Sequence, residues 1–163
     1  MSFLSSFDIS GYGLSAQRFR INTISSNIAN ANTTRTDEGG PYRRKEVVFK
    51  AIDFDKQLND ELQTNYLKYS NPLDEKDSDF IEAKPPLTTV VVDKIVRDDK
   101  KPILKYDPSH PDADKNGYVA YPNINPVVEM SDLIEATRSY QANVAAFQSA
   151  KTMATTAISI LKG

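Results

Sequence analysis

The chain has 163 residues, a formal net charge of −2 and an isoelectric point of about 5.4. Its length suits one domain, or one domain with long extensions, and its charge does not indicate nucleic acid or an anionic membrane as a partner. The chain contains no cysteine, which excludes disulfides and thiol catalysis without fixing the compartment. No apolar run reaches the roughly 18 residues that a membrane span needs. The first residues lack a basic segment followed by a continuous apolar one, so we expect no cleavable secretory signal.

Residues 1–34 are low in charge and carry a seven-residue apolar repeat. The repeat consists of Phe7, Leu14, Ile21 and Ile28. It predicts a helix over about residues 15–31 that extends back to residue 3, although Gly11 and Gly13 each weaken that extension by up to ~1 kcal/mol. We expect this helix to supply one half of an assembly interface. Its predicted interface residues are Leu14, Ile21, Ile24, Asn27, Ile28 and Asn30.

Residues 35–126 differ in composition from both ends. All nine prolines lie between Pro41 and Pro126, and the two ends together hold only 9 of the 42 charged side chains. The pattern predicts four strands, near residues 42–50, 87–96, 103–106 and 118–121, and the second and third of these read as a hairpin. Residues 53–79 are polar and irregular, with a short helix around 54–66.

Residues 127–163 read as one long helix with an apolar seam sustained over more than four heptads. Pro126 stands where a helix can begin, and Gly163 where one can end. The seam, with Met130 at position a, is Met130, Leu133, Thr137, Tyr140, Val144, Phe147, Lys151, Ala154, Ile158 and Leu161. Its predicted interface residues are Met130, Leu133, Tyr140, Val144, Phe147, Ile158 and Leu161.

The back of this C-terminal helix is uncharged. No charged residue lies between Arg138 and Lys151, and none lies between Lys151 and Lys162. A helix on a globular core normally turns a charged face to water. Two interpretations follow: an alanine-rich surface helix, or a helix that neighbouring chains surround.

These patterns predict an α+β protein in three parts. Residues 1–34 and 127–163 form assembly helices that pair as an antiparallel or crossing coiled coil, and residues 35–126 form a small β-rich, loop-rich module that projects outward.

Sites of chemistry are scarce in the sequence. His110 lies between two prolines and reads as a loop residue, and no phosphate loop, paired-histidine metal motif or nucleophile elbow occurs. The run DADKNG at 112–117 matches the first half of an EF-hand loop, but position twelve is Asn123 instead of a glutamate. We interpret it as an Asx-rich turn, with a weak cation site as the alternative. We expect no catalytic residue, no metal ligand and no cofactor.

Several longer motifs resemble the bacterial flagellar rod and hook family. The run SSNIANANT at 25–33 is similar to the N-terminal motif of that family. Similarity to its proximal-rod members is carried by PYRRK at 41–45, YDPSHPDAD at 106–114, NGYV at 116–119, NPVVEM at 125–130 and EATRSYQANV at 135–144. Residues 53–84 match no motif of the family.

The resemblance implies a structural subunit of the proximal rod of the flagellar basal body. Such subunits stack their terminal helices with copies of themselves and with other rod proteins into a hollow shaft that also serves as an export channel. Members of this family are expected in the periplasm near the membrane ring, after leaving the cytoplasm through the flagellar type III export apparatus. Neither nucleic acid nor a small-molecule substrate is expected.

Two alternatives belong to other classes of protein. A secreted type III effector or translocator would also use paired helices, but it would bind a host membrane or protein. A calcium-dependent enzyme or binding module at residues 107–118 would need convergent carboxylates, whereas the sequence offers scattered ones.

Overall fold

A computed structural model describes residues 3–53 and 88–162 of the chain. In order, its elements are α1 (Phe3–Ala29), β1 (Lys45–Asp53), β2 (Thr88–Arg97), β3 (Ile103–Tyr106), β4 (Tyr118–Tyr121) and α2 (Pro126–Lys162). Two long helices and small antiparallel sheets agree with the predicted α+β class. The predicted short helix at 54–66 lies outside the described residues.

Helix α2 begins at Pro126 because the preceding residue caps it. Asn125 Oδ1 accepts the backbone N–H of Val127 at 3.0 Å, and the Asn125 carbonyl accepts that of Glu129 at 3.1 Å. Proline suits the first helical position, where its missing N–H would have no helical partner. The helix then runs for 37 residues, as predicted, which corresponds to a length of about 55 Å.

Helix α1 is continuous from Phe3 to Ala29, so the predicted extension through Gly11 and Gly13 is confirmed. Beyond its last residue the Asn30 side chain donates a hydrogen bond to the Ser26 carbonyl at 2.8 Å. The Ser26 carbonyl also accepts the Asn30 N–H at 3.1 Å, so Asn30 bonds to it through both its backbone and its side chain.

The two helices pack side by side and run antiparallel. Phe7 meets Phe147, Gly13 lies against Asn143, Arg20 lies 3.8 Å from Glu135, and Asn27 bonds to Glu129. Numbers rise along α1 as they fall along α2, which defines the antiparallel direction. In this register the first residue of α1 lies opposite roughly residue 152 of α2, so the last turns of α2 extend beyond its partner.

In residues 3–53 and 88–162, four strands form two separate two-stranded sheets. Strand β1 pairs with β2 from Lys45 opposite Arg97 to Asp53 opposite Thr88, with a bulge between Val48 and Phe49. Strand β3 pairs with β4, and Ile103 lies opposite Tyr121.

The predicted hairpin between the second and third strands is therefore wrong, because each pairs with another strand. Immediately after β2 the Asp98 N–H donates to the Arg44 carbonyl at 2.8 Å, and the Lys100 N–H donates to Asp98 Oδ1 at 3.0 Å. The first bond joins the chain to the segment before β1, and the second lies within the connection that follows β2.

The hydrophobic core of the described residues is small. Strands β1 and β2 both pack against α1. The buried hydrophobic residues are Ala16, Ile24, Ala31, Val119, Ile124, Ala136 and Ala150. Within the two helices the buried hydrophobic residues are three alanines and Ile24, so close approach of backbones, more than burial of large side chains, holds the helix pair together.

Candidate assembly site: the helix pair and its junction with the sheets

Small residues line the contact between α1 and α2. Ala16, Ala136 and Ala150 are buried. A Cβ atom added to Gly13 would come within 3.0 Å of Asn143 Nδ2, so the helices approach closely at this glycine. One large pair supplements these contacts, since the rings of Phe7 and Phe147 meet edge to face with centroids 4.6 Å apart.

At the a positions, each buried residue of α2 lies one residue before the position that the heptad pattern predicts. Glu129, Ala136 and Ala150 are buried, whereas the predicted a residue Met130 is 53% exposed. Hydrophobicity alone favours Met130 over Glu129 as the buried residue. A glutamate can nevertheless be buried when its oxygens are hydrogen-bonded.

The predicted interface residues fall into three groups by burial within the single chain. Ile24 and Asn27 are buried. Half-buried are Leu14, Ile21, Ile28, Asn30, Leu133, Tyr140, Val144 and Phe147. Met130, Ile158 and Leu161 are exposed, and Leu161 retains 86% of its accessible surface.

A buried polar cluster connects the two helices to the start of β1. We call it the junction cluster, and its members are Asn27, Tyr42, Arg44, Lys45 and Glu129. Asn27 is 0% exposed and uses all four of its hydrogen-bonding positions. Its Nδ2 donates to the Lys45 carbonyl at 2.9 Å and to Glu129 Oε2 at 3.0 Å. Its Oδ1 accepts the Lys45 N–H at 2.9 Å and the Tyr42 hydroxyl at 3.2 Å.

The Asn27 amide therefore occupies the place of a neighbouring strand beside the first residue of β1. Both backbone groups of Lys45 bond to this one side chain, as they would to a residue on an adjacent strand. Since β2 lies on the other side of β1, the end of α1 covers one end of a strand edge.

Glu129 is the second buried member, 1% exposed, and both of its oxygens are bonded. Oε2 accepts from Asn27, and Oε1 accepts from Arg44 Nε. Arg44 also contacts Glu46, and its Nη2 lies 3.8 Å from Asp132 Oδ2. A single guanidinium thus faces three carboxylates drawn from β1 and α2. The arrangement supplies a buried, paired charge at the point where three segments of the chain meet.

The sequence prediction missed Arg44 and Glu129 as members of this cluster. Each lies in a motif that carries the family resemblance, and Glu129 is among the few charges of the C-terminal end. An acidic residue in the first turn of a helix is ordinarily explained by the helix dipole, so the sequence alone offers no sign that it is buried.

The loop between β3 and β4 is organised by aspartates bonded to its own backbone. Asp114 Oδ1 accepts the N–H groups of Asn116 and Tyr118, and Gly117 has a φ of 79°. These bonds confirm the predicted Asx-rich turn. The Ser109 hydroxyl donates to Asp107 and lowers the pKa of that carboxyl.

Asp112 and His110 also have partners within the chain. Asp112 Oδ2 accepts the Thr34 hydroxyl at 2.7 Å, and His110 Nδ1 accepts the Asp112 N–H at 3.1 Å. In the described part of the chain, no three histidine, aspartate or glutamate side chains come together as a metal site. Among the helices of that part, none has the length and hydropathy of a membrane span.

Two family models match this chain, one at each end. The model for flagella basal body rod protein matches residues 7–35, and that for the C-terminal part of flagellar basal body rod FlgEFG proteins matches residues 115–160. The matched ranges contain most of α1, most of α2 and two members of the junction cluster, Asn27 and Glu129. The matches at both ends place the chain in the class of flagellar rod proteins.

Relatives that match over nearly the whole chain identify the family within this class. The chain is 40% identical to flagellar basal-body rod protein FlgC of Borreliella burgdorferi, over 100% of both chains. It is 39% identical to FlgC of Bacillus subtilis over 99% of this chain and 100% of that protein, and 34% identical to FlgC of Salmonella typhimurium over 94% and 93%. The chain belongs to the FlgC family of flagellar basal-body rod proteins. It is a structural subunit of the rod, which confirms the resemblance and does not support the effector or calcium-module alternatives.

Proposed function

We propose that this rod subunit polymerises through its terminal helices, with copies of itself and with other rod proteins, at the proximal end of the rod. The assembled helices form the axial drive-shaft and enclose its export channel. Residues 1–34 and 127–163 act as the assembly helices, and residues 35–126 form the module that faces outward.

The observation that carries this proposal is the apolar surface that the helix pair leaves uncovered. Two groups of residues on α2 account for much of it: Val127, Val128, Met130 and Ile134 near its start, and Met153, Ile158, Ile160 and Leu161 near its end. Burial of apolar surface is worth about 25 cal/mol per Å², so neighbours that cover these side chains stabilise the assembly. Large exposed apolar surface marks an interaction site.

The place of the subunit in the cell follows from the same proposal. It leaves the cytoplasm through the flagellar type III export apparatus. It then joins the rod in the periplasm, near the membrane ring. Its role needs no catalysis and no cofactor, and the partners are protein surfaces alone.

Cross-linking in purified basal bodies tests the proposal. Because the chain contains no cysteine, single cysteines at Val127 and Ile160 give unambiguous attachment points. Both positions are about three-quarters exposed in the single chain, so we expect cross-links to neighbouring subunits. Ala150→Cys is the matched control, since this residue is 3% exposed and faces α1. Cross-links confined to the middle module, with none from either helix position, would contradict the proposal.

A further inference from the structure

The junction cluster brings together three segments that are distant in sequence. Asn27 comes from α1, Glu129 from α2, and Tyr42, Arg44 and Lys45 from the segment that leads into β1. Among the described residues, the cation that pairs with Glu129 is Arg44, which belongs to neither helix. Closure of the helix pair at this end therefore depends on a third segment.

A partly formed cluster is unfavourable for a physical reason. If α1 and α2 paired while residues 42–45 stayed undocked, the Glu129 carboxylate would keep its neutral partner Asn27 and lose its charged partner Arg44. A buried charge without its charged partner is strongly destabilising. Asn27 would also lose both bonds to the Lys45 backbone, leaving buried polar groups unsatisfied.

We propose that the junction cluster is a conditional latch. The two terminal helices close onto each other at this end only when residues 42–45 are docked between them. The latch makes formation of the helix pair and placement of β1 one cooperative event. It goes beyond the rod-subunit role, because it is a property of the single chain and does not depend on assembly.

The latch also links the sheets to the assembly surface. β1 begins at Lys45, whose backbone Asn27 holds, and β1 pairs with β2 along its length. A chain whose β1–β2 sheet has not formed keeps residues 42–45 undocked, and so presents an open helix pair to its neighbours.

Hydrogen exchange on the purified full-length chain tests the latch through Arg44→Gln. This change removes the cation while its site lies outside both helices. We expect amide exchange in residues 13–20 and 136–143 to become at least about tenfold faster, although these residues lie two or more helical turns from Asn27 and Glu129. A residue that mattered only to the local structure of the 42–46 segment would leave these helical amides unchanged.

Two further variants make the result specific. Arg43→Gln is the matched control, because Arg43 is the adjacent arginine, its side chain is 64% exposed, and its partner is the exposed Asp99. We expect helix exchange within about twofold of wild type for this variant. Adding Glu129→Gln to Arg44→Gln removes the buried unpaired charge, so we expect the double variant to exchange more slowly in both helices than Arg44→Gln alone.

Three outcomes would overturn the latch. The first is wild-type exchange in both helices of Arg44→Gln, with faster exchange confined to residues 42–46. The second is an equal effect of Arg43→Gln. The third is rapid exchange of both helices in the wild-type chain, because a closed cluster requires paired helices.

Discussion

Asn27 illustrates how a polar residue can be the most constrained side chain of a helix. It donates two hydrogen bonds and accepts two, so no other residue type of its size reproduces the pattern. Aspartate would lack both donors and would place a second carboxylate beside Glu129. The position is thus defined by hydrogen-bond geometry instead of hydrophobicity.

We expect Asn27→Ala to lower the free energy of unfolding by about 2–4 kcal/mol. The substitution leaves one buried Glu129 oxygen without its partner, which costs about 1–3 kcal/mol, and it leaves the backbone groups of the half-buried Lys45 unpaired at a smaller cost because water reaches them. Urea unfolding of the full chain measures the change. Asn22→Ala is the control on the same helix, because Asn22 is exposed, and we expect its effect to stay within about 0.5 kcal/mol. Equal losses in the two variants would contradict the role given to Asn27.

The aspartates of the β3–β4 loop lead to a prediction about calcium. Asp112 and Asp114 are engaged by the Thr34 hydroxyl and by loop N–H groups, so we expect calorimetry at millimolar calcium to show no saturable heat. Asp112→Ala should leave rod assembly intact. Asp112→Asn keeps an acceptor for Thr34, so we expect it to lower the stability of the chain less than Asp112→Ala does. A dissociation constant in the micromolar range would show that the turn interpretation is incomplete.

At the scale of elements, the pairing of α1 and α2 rests on two kinds of contact: close backbone approach at small residues, and the aromatic pair Phe7–Phe147. These contacts make the helices sensitive to size at some positions and to charge at others.

Alanine substitutions at two glycines of α1 distinguish the effect of helix propensity on stability from the effect of packing. Gly11→Ala should raise the free energy of unfolding by about 0.5–1 kcal/mol, because alanine is the better helix former and an added Cβ meets nothing within 4 Å. Gly13→Ala gains the same propensity, but its Cβ would lie 3.0–3.3 Å from three atoms of the Asn143 amide group. We therefore expect Gly13→Ala to be less stable than Gly11→Ala by about 0.5 kcal/mol or more. Thermal unfolding of the two variants checks the order, and the reverse order would mean that the helices are not in close contact at Gly13.

Adjacent positions of α2 test whether neighbours enclose the helix. Phe147→Asp removes the ring that meets Phe7 and places a carboxylate in a charge-free stretch. We expect the free energy of unfolding to fall by at least about 2 kcal/mol, and we expect cells that export the subunit but do not incorporate it.

Gln148 is exposed in the single chain, so Gln148→Asp should leave the stability of the chain nearly unchanged. Swimming assays then decide: impaired motility with Gln148→Asp means that a neighbour covers this face, and normal motility means that the face is solvated. Normal motility with Phe147→Asp would remove the seam as the basis of assembly.

At the scale of the whole molecule, the described part of the chain exposes far more large hydrophobic side chains than it buries. Nineteen are exposed, whereas the seven buried hydrophobic residues include only one valine and two isoleucines beside the alanines. We therefore expect neighbouring subunits in the rod to cover part of this exposed apolar surface.

A substitution at Ile158 tests the stability of the assembly independently of the stability of the isolated chain. It is 54% exposed and lies in the part of α2 that extends beyond α1. We expect Ile158→Asp to change the free energy of unfolding of the isolated chain by less than about 0.5 kcal/mol, yet to abolish incorporation into the rod. Ile158→Leu is the control, because it keeps the apolar contact and should remain motile. Rod incorporation of the aspartate variant at the wild-type level would show that this end of α2 stays in solvent.

The sequence determined which residues form helices and strands in this protein. The long apolar period, the start signal at Pro126 and the absence of proline from both ends predict α1 and α2, because these signals act within one or two helical turns. The β-branched runs predict all four strands. The family resemblance, carried by long ordered motifs, predicts the rod subunit.

Only the tertiary structure decided the partners. Strand β2 pairs with β1 instead of β3, and Glu129 replaces Met130 in the helix interface. Both outcomes depend on groups far apart in sequence: the Asp98 N–H bonds to the Arg44 carbonyl, and the Glu129 carboxylate is compensated by Asn27 and Arg44. A local pattern records the hydrophobicity of each residue. The free energy of burying a polar group is set by hydrogen-bond partners that only the folded chain brings within reach.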